Sequence, residues 1–422
     1  MSAVASSFAS PSSAQAHRLV LAGMAGNVLE WYDFSVYGCF APTIAKTFFP
    51  AHNPATSLLE AFAVFAVGFL MRPVGGLLLG YLGDRAGRER ALIVSVLAMA
   101  LPTCAMGLLP SYQRWGLTAA VLMVAMRLIQ GLAVGGEYTT SVVFMIERCA
   151  QHRRGLIGAF GSAGAFVGIF LGSAVSALLA WLMPAELARY SWRAAFLTGI
   201  VVGLIGYWLR RDYRAAPSGA PALGAILRRH WPGMLQIAAF KALDAVGFYL
   251  AFIYGVTYLT QFCGLAHGSA LAINTLGMAL LFMVLPAAGA LSDWSGRKPL
   301  LLGSALLALL LARPLFGLFR LGGFTAPLLA QLGFAVIMGT FDGVSPAAMA
   351  EAFPASVRCS AVAISHNLCM AILGGTAPMA ATFLIARSGS ALIPAWYLMG
   401  AALLSAGFTL SLRESAFRPL PP

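Results

Sequence analysis

The sequence predicts an all-α polytopic membrane protein of twelve transmembrane helices arranged as two six-helix bundles. Three observations carry that prediction. Of the 422 residues, 60% are hydrophobic and only 10% charged, at a mean hydropathy of +0.83. Soluble chains do not have that composition, and several apolar runs exceed the ~20 residues a helix needs to cross a bilayer. Hydropathy and helix breakers divide the chain into twelve spans. A short motif between the second and third spans then returns between the eighth and ninth, about half the chain later.

The first six spans fall near residues 19–45, 57–80, 91–110, 117–147, 155–183 and 193–210. The second six fall near 233–259, 268–292, 299–319, 324–350, 359–387 and 390–412. Residues 1–18, rich in Ser and Ala, read as an N-terminal tail, 211–232 as a basic Pro/Gly/Ala linker, and 413–422 as a C-terminal tail. The bundles are therefore expected at 19–210 and 233–412. No charged n-region and cleavage site precedes the first span, so that span is expected to remain as an anchor. With both termini on one side, that side collects 17 Lys and Arg and the other 6, including Arg189. The positive-inside rule makes the basic side cytoplasmic, which accounts for the net charge of +13 without nucleic acid.

Cysteines 39, 104, 149, 263, 359 and 369 are scattered with no CxxC spacing. They read as packing residues, neither a disulfide framework nor a metal site. The sequence has no nucleophile–base constellation and no Walker loop, so no enzyme activity, ATP drive, metal or cofactor is expected. The coupling ion is expected to be a proton.

Gly26 to Gly38, G-N-V-L-E-W-Y-D-F-S-V-Y-G, lies inside the first span and carries Glu30 and Asp33. Three apart, the two carboxylates share one helix face. An acid at bilayer depth costs roughly 2.5–3.5 kcal/mol on insertion scales, so it faces a cavity or a partner and marks an ion or proton route. Static pairing with a cation between helices is the competing use.

The two halves echo each other. Gly80-x-x-x-Asp84-Arg85-x-Gly87-Arg88 recurs as Gly289-x-x-x-Asp293-x-x-Gly296-Arg297-Lys298, and Glu147 with Arg154 is echoed by Glu351 with Arg358. Parallel six-span repeats imply a substrate site near mid-membrane between them.

These loops, with twelve spans, resemble the major facilitator superfamily over the whole chain. N-V-L-E-W-Y-D-F at 27–34, G-F-L-M-R-P-V-G-G at 68–76, R-L-I-Q-G-L-A-V-G-G-E-Y at 127–138 and E-x-F-P-x-x-V-R at 351–358 look like its metabolite–proton symporter branch. That branch includes symporters for citrate, α-ketoglutarate, shikimate and proline/betaine. Residues 360–420 look closest to the proline/betaine members, including Pro394–Met399, Arg413-Glu414 and Arg418-Pro419. Glu89 and Trp294 replace usual basic residues in the two loops, and the long C-terminal coiled coil of some osmosensing members is absent.

Arg127, deep in span 4, always carries its charge and needs a counter-ion or an anionic substrate. A guanidinium can grip a substrate carboxylate through two parallel hydrogen bonds. The resemblance implies that Arg127 pairs with a span 1 acid, Asp33 ahead of Glu30. A substrate carboxylate that captured Arg127 would leave the acid without its partner and ready to take a proton. Glu137 lies ten residues on, ~15 Å along the helix, as a proton relay or the partner of another cation. Lys241 and Asp244, one turn apart in span 7, can neutralise each other or contact substrate. Asp342 is expected to pair with Arg313. His366 and Asn367 are polar at depth, the histidine as packing or as a titrating group, and Asn367 is a substrate-contact candidate. Among the aromatics Trp31, Tyr32, Tyr37, Tyr138 and Tyr249, packing is the commoner use, with Tyr37 retained as a substrate contact.

The resemblance implies that Gly80, Asp84, Arg85, Gly87 and Arg88, with Asp293, Gly296 and Arg297, form a conformational latch favouring the outward-open state. Plain topogenic charge is the competing reading for the arginines. The function expected is proton-coupled import of a small carboxylate-bearing metabolite across the bacterial inner membrane by alternating access, by a lipid-embedded monomer. The alternative is a proline/glycine betaine-type compatible-solute symporter, followed by an uncoupled facilitator or an exporter.

Overall fold

A computed structural model describes residues 13–50, 60, 63–64, 67–182, 190–212, 221 and 223–421. Most of the expected N-terminal tail, the centre of the linker with Arg214, the beginning of the second span and Arg189 lie outside the described residues. The helices are α1 (Ser13–Phe48), α2 (Arg72–Ala86, preceded by helical residues 67–70), α3 (Arg88–Leu108), α4 (Leu117–Arg148), α5 (Arg154–Leu182) and α6 (Ser191–Arg210). Then follow α7 (segments Leu223–Phe240, Ala242–Phe248, Tyr249–Ile253 and Gly255–Gln261), α8 (His267–Ser295), α9 (Arg297–Phe319), α10 (Thr325–Glu351), α11 (Arg358–Cys369, Met370–Gly374 and Ala377–Ser388) and α12 (Ile393–Ser411). Among the described residues, ten spans from α3 to α12 are long and apolar enough to cross a membrane. With α1 and α2 they make the twelve-helix architecture.

Two boundaries differ from the sequence reading in an informative way. The Gly80–Arg88 and Gly289–Lys298 motifs were expected as loops after spans ending at 80 and 292. Instead α2 continues to Ala86 and α8 to Ser295, and the chain reverses at single glycines. Gly87 (φ 102, ψ 144) and Gly296 (φ 97, ψ 160) adopt backbone angles that side chains with a Cβ avoid. A one-residue reversal keeps the last helical turn intact, and Asp84 and Asp293 project from that turn. The segment from Leu223, assigned to the linker, is already helical.

Helices α1–α6 pack as one bundle and α7–α12 as the other; they meet where α5 touches α8 and α10, and where α2 and α4 touch α11. Helices α2 and α4 approach backbone to backbone, because a Cβ on Gly75, Gly131 or Gly135 would collide with main-chain atoms of the other helix. That approach sets Arg72 of α2 against α1. Two helices carry short π-turns at mid-length, Tyr249–Ile253 in α7 and Met370–Gly374 in α11. A Cβ on Gly374 would lie 3.1 Å from the Tyr249 ring, so the two turns pack together. Such wide turns recur at functional sites because they re-aim side chains without breaking the helix.

Candidate functional site

A cavity of ≈90 Å³ lies between the bundles, part-way along the helices. Asn27, Glu30 and Trp31 of α1, Arg72 of α2, Tyr138 of α4, and Ser162 and Phe166 of α5 form one wall. Asp244, Phe248 and Tyr249 of α7, Asp342 of α10, and His366 and Met370 of α11 form the other.

Arg72 Nη2 donates to Glu30 Oε1 at 2.8 Å, while Glu30 Oε2 is buried and accepts no hydrogen bond among the described residues. The same guanidinium lies 5.1 Å from the centre of the Phe69 ring. Across the cavity, Lys241 Nζ lies 2.6 Å from Asp244 Oδ2, 3.0 Å from Ser345 Oγ and 3.6 Å from Asp342 Oδ1. His366 packs against Tyr138 with ring centres 4.8 Å apart, and its Nδ1 is buried without a hydrogen bond among the described residues. Sequence reasoning did not single out Arg72, although it quoted the motif that contains it. The available signal was a cation within a span, the same ground that drew attention to Arg127, here beside a proline and a glycine pair.

Asp33 and Arg127 are brought together, but inside the first bundle and off the cavity lining. Arg127 Nη1 donates to Asp33 Oδ2, and to Gln130 Oε1 at 2.8 Å. Asp33 Oδ1 accepts from Thr103 Oγ1 and from Gln130 Nε2, each at 3.0 Å. The Tyr37 ring centre sits 4.0 Å from the guanidinium carbon. Closer to the end carrying the termini, Glu137 Oε1 accepts from Arg210 Nη2 at 2.5 Å, and Ser95 donates to Glu137 Oε2. Arg210 also bonds the carbonyls of Ala22 at 2.8 Å and Leu92 at 2.9 Å. Both pairs are buried, and both oxygens of each carboxylate accept hydrogen bonds, which is what a charge needs in order to stay in a low-dielectric interior.

Asn367 Nδ2 donates across the seam to the Gly135 carbonyl at 2.5 Å and within its own helix to Ala363 at 2.8 Å. The expected Asp342–Arg313 pair does not form. Asp342 faces the cavity near Lys241, and Arg313 lies over the Trp396 ring at 6.0 Å on the outside of the bundle. Span adjacency suggested that pair, and the direction of the side chains on their helices overrides it.

At the end carrying the termini, the bundles are bolted together crosswise. Asp84 at the end of α2 accepts from the backbone N–H groups of Cys359 (3.0 Å) and Ser360 (2.7 Å) and from Ser360 Oγ (2.6 Å), at the start of α11. Asp293 at the end of α8 accepts from the N–H groups of Gly155 (2.7 Å) and Leu156 (2.9 Å), at the start of α5. Each acid meets unsatisfied donors and the positive end of a helix in the opposite bundle. The Glu/Arg echoes are exchanged in the same manner. Glu147 is held by Arg88 at 3.0 Å and by Arg358 of the other half at 2.6 Å. Glu351 is held by Arg297 at 3.1 Å and faces Arg154 of the other half at 3.9 Å.

Gly80 lies against α11, where a Cβ would come 3.0 Å from Ser360 Cα. Arg85 is exposed and bonds Tyr81 of its own helix at 3.2 Å. The chain then folds back over this end. Arg154 donates to the Arg418 carbonyl at 2.9 Å and Arg358 to the Pro421 carbonyl at 2.7 Å. Glu414 accepts from the N–H groups of Arg297 and Lys298, each at 3.0 Å.

Comparison with known proteins agrees with this architecture. The chain is 31% identical to a proline/betaine transporter of Salmonella typhimurium, covering 96% of this chain and 84% of the relative. It is 33% identical to a citrate-proton symporter of Klebsiella pneumoniae, covering 91% and 89%. The fold matches that of the proton:xylose symporter XylE, with a TM-score of 0.80 at 18% identity over 97% of this chain and 98% of that one. The pattern of the Major Facilitator Superfamily matches residues 23–378. With twelve helices in two cross-bolted bundles and a polar cavity between them, the chain belongs to the Major Facilitator Superfamily, as a multi-pass membrane transporter and not an enzyme.

Proposed function

We propose that this chain imports a small carboxylate-bearing solute together with a proton, using Arg72 to receive the carboxylate and Glu30 to receive the proton. The observation that carries this reading is the Arg72–Glu30 pair on the cavity wall, with one buried carboxylate oxygen left without a donor. A substrate carboxylate that draws Arg72 toward itself removes the only cation bonded to Glu30 among the described residues. A buried carboxylate without a partner is far less costly neutral than charged. Substrate binding therefore favours proton uptake at Glu30, and the two cross together. Arg127 and Asp33 then act as a rigid strut of the first bundle.

Carboxylates outnumber cations among the groups around the cavity: Glu30, Asp244 and Asp342 against Arg72 and Lys241. That balance favours a zwitterion, as in the proline/betaine relatives, over a multiply charged acid such as citrate. The basic end with both termini faces the cytoplasm, in keeping with its surplus of Lys and Arg. Both walls of the cavity come from one chain, so the monomer is the working unit in the inner-membrane lipid. The proton is the coupling ion and no cofactor is needed.

The test is uptake into proteoliposomes under an imposed pH gradient. Glu30→Gln should abolish uphill accumulation while exchange of labelled for unlabelled substrate persists. Arg72→Lys, which loses the planar two-point grip, should weaken binding by about 1–3 kcal/mol, roughly ten- to a hundredfold. Undiminished acid-driven accumulation by Glu30→Gln would remove Glu30 from the coupling route.

A further inference from the structure

The charges around the cavity do not balance, and the imbalance has an address. On the α1–α2 wall, Arg72 and Glu30 neutralise each other at 2.8 Å. On the α7–α10 wall, one ammonium serves two carboxylates. Lys241 is completely buried and off the cavity lining, committed to Asp244 at 2.6 Å and Ser345 at 3.0 Å. Asp342 stands 3.6 Å from that ammonium, farther than Asp244, shares a hydrogen bond with Ser162 of α5, and its side chain is 21% exposed against 7% for Asp244. Aromatic rings border the same space: Trp31 and Phe166 each lie 6.5 Å from Phe248 between centroids. Tyr138 and His366 are the neighbouring titratable groups on the lining.

A surplus carboxylate beside aromatic faces suits a substituted ammonium, whose charge is diffuse and which has few or no N–H groups to hydrogen-bond. We propose that Asp342 is the specificity-determining residue of this site. Held away from a lysine already bonded to Asp244, it supplies the negative charge that admits a carboxylate-bearing solute when the solute also carries a substituted ammonium. The proposal rests on the symport reading above and adds to it the residue that selects the second charge. Arg72 and Asp342, on opposite walls, then receive opposite ends of one zwitterion.

The test compares equilibrium binding of glycine betaine with that of 3,3-dimethylbutanoate, which has the same shape with carbon in place of the charged nitrogen. The purified full chain should prefer the betaine at least tenfold. Asp342→Asn should erase that preference by weakening the betaine and strengthening the anionic analogue, and Asp342→Glu should restore most of it. An Asp342→Asn variant that keeps the parent's preference overturns the proposal, as does a parent with no preference. In both cases the symport reading stands or falls separately on Glu30→Gln. If Asp342→Asn does not insert, competition by tetramethylammonium against betaine in the parent decides. Competition within a hundredfold excess supports the cation receptor, and none overturns it.

Discussion

Glu30 and Asp33 sit one turn apart on the same helix and meet opposite fates. Asp33 has both oxygens occupied, by Arg127, Thr103 and Gln130. Glu30 has one oxygen on Arg72 and the other bare against the cavity. Removing one partner of a fully buried pair costs about 3–5 kcal/mol, because the remaining charge has nothing to balance it. Asp33→Asn is therefore expected to lower thermal stability in detergent by that order and to reduce the amount of folded protein. Pairing it with Arg127→Met should recover much of the loss. Glu30→Gln keeps an acceptor for Arg72 but removes its counter-charge; because Arg72 lines the cavity and is 11% exposed, the loss should be smaller than for Asp33→Asn. Equal melting temperatures for Asp33→Asn and the parent would show that the strut carries no structural load.

Among the elements, the tail beyond α12 ties together parts that must separate if the end carrying the termini is to open. It gives carbonyls to Arg154 of the first bundle and Arg358 of the second, and Ser415 bonds Glu351 at 2.6 Å. Each such bond is worth about 0.5–1.5 kcal/mol net. Truncation after Leu412 should therefore shift the balance toward the open end by roughly fivefold or more. Cys359, fully buried where Asp84 meets α11, is a native reporter once the other five cysteines are replaced. Its alkylation should rise in the truncated chain, and an unchanged rate would reduce the tail to decoration.

The tail also has a pH sign. Burial pushes the Glu414 carboxyl up, but backbone N–H donors of Ala416, Arg297, Lys298 and Ser415 outweigh it and hold the group below its ordinary value of 4.5. A depressed value means the bond's contribution is complete above the ordinary range and is lost as pH falls through the folded value. Cys359 labelling should thus be flat with respect to Glu414 from pH 5 to 8 and rise only in stronger acid. Glu414→Gln should lose that acid step.

For the whole molecule, alternating access depends on how the two halves are joined, and here each half caps a helix of the other. Asp84 and Asp293 occupy equivalent places in the two repeats and bond across the seam in opposite directions. Each substitution to Asn removes a charge from a helix N-terminus, worth up to about 2 kcal/mol when partly buried. Neither residue touches the cavity, so binding should remain measurable while the resting population moves. Asp84→Asn and Asp293→Asn are each expected to raise Cys359 alkylation, the double variant more than either single. Identical labelling in all three and the parent would leave the acids as topogenic charge.

Hydropathy, the repeat and the position of Lys and Arg are properties of the chain itself, and they were enough for the twelve-helix class; the family came from the resemblance of particular motifs. They are also why Glu30, Asp33, Arg127 and Glu137 stood out: a charge in an apolar run must have a reason. Which reason was not legible. Every buried charge needs a partner, and several partners of the right sign exist at each depth. Asp342 faces the cavity beside Lys241 instead of pairing with Arg313, Glu137 meets Arg210 from the end of α6, and Arg72 lines the cavity while Arg127 does not. Those choices follow from how closely α2 and α4 approach at their glycines and from which face each helix turns inward. Both are long-range properties of packing, so only the tertiary structure decides which charges face the cavity and which brace the bundles.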